Sequence, residues 1–257
     1  MQFARSASPP SRARLTALRQ RAPAALAHVR EPRFRALATL ATLFVIALAA
    51  FAHIVEDYLT GDPLVRWDVE FSRWLHEHSS STVVSLFKAV TLLGNVAFLA
   101  LLTLAVAVYL LRRRRLDDAA LLCAAALGIE VVNALLKLVF HRPRPELAYL
   151  QLDTYSFPSG HATGSAAIYG IILYLLATRS SPRRRTACAL GYLALVGVIG
   201  FSRLYLEVHY LSDVLAGVSL GAAWAAAWLL IYELRHDAVS RLLPTRLRGL
   251  AERFAPS

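Results

Sequence analysis

The sequence predicts an all-α, polytopic membrane protein: six transmembrane helices in a bundle, with both termini cytoplasmic. Three observations carry that expectation. Of the 257 residues, 57% are hydrophobic and only 18% charged, whereas a soluble domain carries about 25% charged residues. Six stretches, at about 37–55, 92–111, 119–140, 162–177, 186–201 and 210–232, are apolar over roughly the 20 residues a bilayer crossing needs. Arginine collects in alternate connections between them, as cytoplasmic loops hold the positive excess.

Taken in order, residues 1–36 carry eight Arg and a single acid, Glu31. No apolar core precedes Leu37, so this segment reads as a basic, disordered cytoplasmic arm and not as a cleavable signal peptide. Beyond the first span, 56–82 reverses the charge, with Glu56, Asp57, Asp62, Asp68, Glu70 and Glu77 against Arg66 and Arg73. Trp67 and Trp74 among these polar residues suit an external helix lying on the membrane. The second span runs into a four-Arg block at 112–115, and the fourth into Arg179 with Arg183, Arg184 and Arg185. The basic tail at 233–257 has five Arg and three acids. Basic segments thus fall at both ends and after spans two and four, the alternation that an even number of spans requires. The membrane domain covers 37–232 and leaves no room for a separate soluble domain. No internal repeat is present.

The net charge of +11 suits a polyanionic or anionic-lipid neighbour. The apolar runs decide for lipid, and no nucleic-acid partner is expected. Cys123 and Cys188 both lie inside apolar runs, which excludes a disulfide framework and a cysteine-rich metal site.

Polar residues at membrane depth are costly, and they mark candidate functional positions. The third span carries Glu130, Asn133 and Lys137 on one helical face. It leads into His141-Arg142-Pro143-Arg144-Pro145, where two prolines stop the helix and hold a stiff external loop with two guanidinium groups. A second loop ends Tyr155-Ser156-Phe157-Pro158-Ser159-Gly160-His161 and enters the fourth span directly. Ser159 is a candidate N-cap, Gly160 admits a close approach to the backbone, and a helix N-terminus attracts anions. Between spans five and six, His209 and Asp213 are four apart and share a helical face. A carboxylate one turn from an imidazole can hold its tautomer and stabilise its cationic form.

Each cluster alone has a bland reading: snorkelling arginines, a capped helix start, a structural His–Asp pair. The expected topology, however, puts all three on the same external side. Together they assemble Lys137, Arg144 and Arg203, two histidines, one carboxylate and a helix terminus. Three cations around free amides describe a phosphate site, a histidine poised by an aspartate describes a nucleophile, and a second histidine describes a proton donor.

At these residues the chain resembles the type-2 phosphatidic acid phosphatase superfamily, which includes bacterial membrane lipid phosphatases, glucose-6-phosphatase, class A acid phosphatases and vanadium haloperoxidases. Its signature is K-x6-R-P, P-S-G-H and S-R-x5-H-x3-D. This sequence supplies Lys137 with Arg144-Pro145, then Pro158-Ser159-Gly160-His161, then Ser202-Arg203 with His209 and Asp213. Arg142-Pro143 is a second Arg-Pro pair, and the six-residue gap selects Arg144.

The resemblance implies a phosphatase or diphosphatase of lipid phosphates on the external face of the plasma membrane. Undecaprenyl diphosphate, phosphatidylglycerol phosphate, phosphatidate and diacylglycerol diphosphate are the candidate substrates, with undecaprenyl diphosphate recycling the expected physiological task. It implies that His209 attacks phosphorus to give a phosphohistidine, oriented by Asp213. Lys137, Arg144, Arg203, Ser159 and the Gly160 amide would hold the phosphate oxygens. His161 would protonate the leaving oxygen and then activate water. No metal or cofactor is expected, because three fixed cations can neutralise the transferred phosphoryl group and no acidic cluster near the motifs suits magnesium.

Two rivals stand beside this expectation. A non-hydrolytic lipid-phosphate binding or transport protein would keep the cations without needing His209 and Asp213. A vanadate-dependent peroxidase would use the same pocket, but the haloperoxidases of this superfamily are soluble. Among the smaller expectations, Glu130 and Asn133 are read as structural, Glu207 and Tyr205 as surface residues, and His141 as interfacial. His53 and His76 are given no role. Trp224 and Trp228 should face lipid or a neighbouring helix.

Overall fold

The computed structural model describes residues 32–61, 63–150, 152–177 and 180–242. Arg179, most of the arm 1–36 and the final part of the tail, 243–257, lie outside the described residues. Among the described residues the regular elements are all helical: α1 (Pro32–Thr60), α2 (Pro63–Glu77), α3 (Ser81–Val90), a 3-10 turn (Thr91–Gly94), α4 (Val96–Arg112), α5 (Leu116–Phe140), α6 (Gly160–Ala177), α7 (Pro182–Tyr205) and α8 (Leu211–Leu242).

Small residues place α6 at the centre. On α8, Gly217 and Gly221 are four apart and face Ala162, Thr163 and Ala166 of α6, so the two backbones approach closely by small-xxx-small packing. A Cβ on Gly221 would lie 2.3 Å from the Thr163 carbonyl oxygen, which no side-chain movement relieves. Gly221→Val is therefore expected to force the helices apart and cost about 1–3 kcal/mol. Thermal unfolding in detergent measures this, and an unchanged midpoint would contradict the packing. The opposite side of α8 lies along α1, α7 flanks α6, and α5 bridges α4 and α6. Trp224 packs on α5 over Gly128 and donates to the Ala125 carbonyl at 2.9 Å, so this tryptophan faces a neighbouring helix.

Five described helices are long and apolar enough to cross a membrane, and α3 with α4 reach that length only as a pair bent by 44° at the break between them. The expected single run at 92–111 is thus interrupted. Asn95 starts α4 by accepting from the Ala97 N–H at 2.8 Å, a standard N-cap. The Leu93 carbonyl accepts the Tyr169 hydroxyl at 2.8 Å. A Cβ on Gly94 would meet Ile199 at 2.6 Å and His161 at 3.2 Å, so the break lets α6 and α7 close on the turn. Hydropathy cannot register such a break, because every residue across it but Asn95 and Thr91 is apolar or small.

The other bounds move outward: α1 reaches Thr60, α7 extends over Pro182–Tyr205, and α8 runs unbroken past Tyr232 to Leu242. Near that end Arg115 and the Tyr232 hydroxyl both bond the buried Asp118 carboxylate. The α2 helix matches the amphipathic segment expected at 56–82. Trp67 and Trp74 are exposed, whereas Asp68 and Leu75 face inward and are buried, with Leu75 packed among Leu204, Val214 and Ala162.

Candidate active site

The chain reverses sharply between α7 and α8. Glu207 takes a left-handed backbone with φ 53°, and the Val208 N–H returns to the Arg203 carbonyl at 3.2 Å. His209 emerges from this turn with its side chain 2% exposed. Asp213, the third residue of α8, reaches back to accept the Tyr210 N–H at 2.9 Å through Oδ2, as in a capping box. The same oxygen lies 3.4 Å from His209 Nδ1. His209 Nε2 is 3.2 Å from Arg144 Nη1. An Nδ1–H held by the carboxylate leaves the Nε2 lone pair directed at the cations, which is the tautomer a nucleophilic imidazole requires.

The loop after α5 converges on the same point. Arg144 donates through Nη1 to the Val208 carbonyl at 2.5 Å and through Nε to the Thr154 carbonyl at 2.7 Å. Lys137 donates to the Tyr155 carbonyl. Arg203, buried at the end of α7, donates through Nη1 to Thr91 Oγ1 at 2.6 Å. The Ser159 N–H donates to the Asp213 carbonyl at 3.0 Å, which ties the second motif to the third. His161, in the first turn of α6, interacts electrostatically with Arg203, His209, Arg144 and Lys137. All eight residues expected from the motifs therefore gather at one end of the bundle.

Details depart from expectation. The Ser159 hydroxyl makes no capping bond; with Arg203 Nε it is buried without a partner among the described residues. Both are donors, and a phosphate oxygen is the chemical partner they suit. The space beside Gly160 is taken by Asn133, whose Nδ2 would lie 2.9 Å from a Cβ there. Asn133 is buried and packs from α5 against the start of α6. Glu207, expected at the surface, is fully buried and pairs with His76 Nδ1 at 2.8 Å. Their separation by 131 residues hid that contact from any local pattern.

Arg142 also stands elsewhere than its Arg-Pro twin. It is 5% exposed and donates through Nη1 to Asp213 Oδ1 at 2.5 Å and to Ser212 Oγ at 2.7 Å. Its Nη2 donates to Asp68 Oδ2 at 2.8 Å. Its guanidinium lies 4.4 Å from the Tyr210 ring centroid and 5.0 Å from that of Tyr58, within cation–π range. Burial opposes its charge, but the Asp213 and Asp68 carboxylates more than offset this and hold its pKa above the ordinary guanidinium value. Asp68 and Arg142 are the site residues that motif spacing did not identify.

Burial, reinforced by the Arg203, Arg144 and Lys137 charges, holds the His209 pKa well below the ordinary 6.5. The neutral imidazole consequently persists to lower pH than in a free histidine. A nitrogen-15 NMR titration of the histidines, assigned with His209→Ala, should find His209 still neutral at pH 6; protonation near its ordinary value would contradict this electrostatic picture. Among the described residues, no three His, Cys, Asp or Glu side chains lie close enough to hold a metal ion.

A helical membrane bundle that gathers three cations around two histidines at one end is built to handle a phosphate group. The comparisons give that class its family. The PAP2 superfamily model matches residues 118–237, which include all three motif segments. Phosphatidylglycerophosphatase B of Bacillus subtilis (strain 168) is 30% identical over 185 residues, covering 70% of this chain and 86% of that protein. A transmembrane PAP2-type phosphatidylglycerolphosphate phosphatase from Bacillus subtilis has a similar solved structure, with TM-score 0.66 and 25% identity over 76% of this chain and 96% of that one. Aquifex aeolicus LpxE shares the fold at TM-score 0.50 and 20% identity, over 63% of this chain and 94% of that one. The chain belongs to the PAP2 superfamily of phosphatases.

Proposed function

We propose that this protein is a metal-independent lipid phosphatase that works through a phosphohistidine at His209. The carrying observation is that His209 turns Nδ1 to Asp213 and Nε2 to Arg144. A carrier would need the cations but not an oriented nucleophile.

In the first step Nε2 of His209 attacks phosphorus, and the bond to the leaving oxygen breaks. His161 gives that oxygen its proton. Lys137, Arg144 and Arg203, with the Ser159 hydroxyl and the Gly160 N–H, hold the remaining oxygens. In the second step His161 takes a proton from water, the water oxygen bonds to phosphorus, and the P–N bond breaks to restore neutral His209. Asp213 holds the ring throughout and offsets the charge it gains on phosphorylation. Fixed cations do for the phosphoryl oxygens what a magnesium ion does elsewhere.

The arginine distribution supports six spans with both termini cytoplasmic, counting α3 with α4 as one bent crossing, and an external active site. A lipid would then present its phosphate at the membrane surface with its tail among the helices. The name of the Bacillus subtilis relative makes phosphatidylglycerol phosphate a first substrate to test, beside undecaprenyl diphosphate, phosphatidate and diacylglycerol diphosphate.

The test is phosphate release from these four lipids by detergent-purified protein in EDTA. Turnover of at least one is expected, and their relative rates identify the substrate class. A strict requirement for a divalent ion would overturn the metal-independent reading. Binding of all four without turnover would favour a lipid-phosphate carrier.

A further inference from the structure

Asp68 has no place in the three-motif site, yet it is one of the most enclosed carboxylates in the protein, at 1% exposure. It sits on the inner face of α2 and accepts from Arg142 Nη2 at 2.8 Å, from the Ser212 N–H at 2.9 Å and from the Ser212 hydroxyl. A residue that only docked α2 could be apolar, as its neighbour Leu75 is. A buried ion network is weak grounds for stability, since desolvation offsets the attraction.

The charge count around Asp213 explains what a carboxylate supplies there. Asp213 shares Oδ1 with Arg142 at 2.5 Å. A pair of one carboxylate and one guanidinium is neutral and would exert little net pull on a cationic imidazole. Asp68, on the far side of the same guanidinium at 2.8 Å, returns the cluster to a net charge of −1. His209 is otherwise surrounded by Lys137 from α5, Arg144 from the following loop, His161 from α6 and Arg203 from α7. Arg142 itself faces Asp68, Asp213 and the Tyr58 and Tyr210 rings, with Glu146 acting on Tyr210 from the same loop.

We infer that Asp68 is a positioning residue that sets the charge of Asp213: through Arg142 it keeps the Asp68–Arg142–Asp213 cluster anionic, so that His209 can carry positive charge when it is phosphorylated. Asp68 touches neither substrate nor nucleophile. This inference rests on the phosphohistidine reading of the site, and it extends the His209–Asp213 pair to a four-residue relay entered from α2.

The test compares Asp68→Asn and Asp68→Glu in the full-length protein. Turnover and the level of phosphoenzyme are measured on the best lipid substrate, with thermal midpoints recorded for each. Removing the negative charge should slow phosphorylation about 10- to 100-fold, because each pKa unit of imidazole stabilisation corresponds to tenfold. It should also lower the steady-state phosphoenzyme and move any acid limb set by His209 to lower pH.

Asp68→Glu keeps the charge and should stay within about threefold of wild type. It also decides the matter if Asp68→Asn does not fold. Asp68→Glu as slow as Asp68→Asn, or an acid limb unmoved in Asp68→Asn, would make the role one of docking and overturn the inference. Wild-type turnover that vanishes in His209→Ala keeps the underlying reading intact whichever way the Asp68 variants fall.

Discussion

His209→Ala should fold, reach the membrane and release no phosphate above background, a fall on the order of 10⁴-fold or more. On the proposed mechanism the variant removes the atom that forms the covalent bond, and water cannot take its place. Nε2 faces Arg144 at 3.2 Å, where the bonded phosphoryl group would be met by the cations, and a solvent molecule there would lack the base that Asp213 orients. Stability should change little by comparison. Asp213 keeps Arg142 and the Tyr210 N–H when the imidazole is gone, so no buried carboxylate is left unpaired. Phosphate release beside a thermal midpoint separates the two effects. A midpoint close to wild type with activity lost is the expected pair; retained turnover would mean that another group attacks phosphorus.

The second large effect belongs to Arg203. Arg203→Ala should lower turnover by about 10²- to 10³-fold, the range for losing one preorganised donor to a developing anion. Arg203 is 2% exposed, so its charge would act on a bound phosphate with little screening. Thr91 occupies Nη1 at 2.6 Å, while Nε has no partner among the described residues. Arg203→Lys should rescue only a small part, because an ammonium cannot bond Thr91 and present a second planar donor together. The measurement is kcat and KM for the three proteins on one lipid. Full rescue by lysine would reduce the role of Arg203 to a point charge.

Much of this architecture was legible in the residues. Apolar length found the helices, because a bilayer tolerates few polar residues over 20 positions. The family signature named Lys137, Arg144, His161, Arg203 and His209, and helical spacing put His209 and Asp213 on one face. The contacts that escaped are those between distant segments. Asp68 and Arg142 are 74 positions apart, and nothing local distinguishes a carboxylate that turns inward on an amphipathic helix from those that face water. The acids of 56–82 read alike in sequence, yet one is buried against the catalytic turn. Arg142 and Arg144 each precede a proline, and only the fold shows that one meets His209 and the other Asp213. The bend at 91–95 escaped for another reason: it depends on a side-chain cap and on Tyr169 reaching Leu93, neither of which changes the hydropathy of the run.

The central claim is a covalent phosphate on His209, and trapping it is the most direct measurement. His161→Ala with p-nitrophenyl phosphate, whose leaving group needs no acid, should form the intermediate and hydrolyse it slowly. Quenching into alkali, which spares phosphohistidine, followed by digestion and mass spectrometry, should find one phosphate on the peptide containing His209. The doubly substituted His161→Ala/His209→Ala protein should carry none. Turnover by the wild type with phosphate on another residue, or with no covalent phosphate on any residue, would contradict the account.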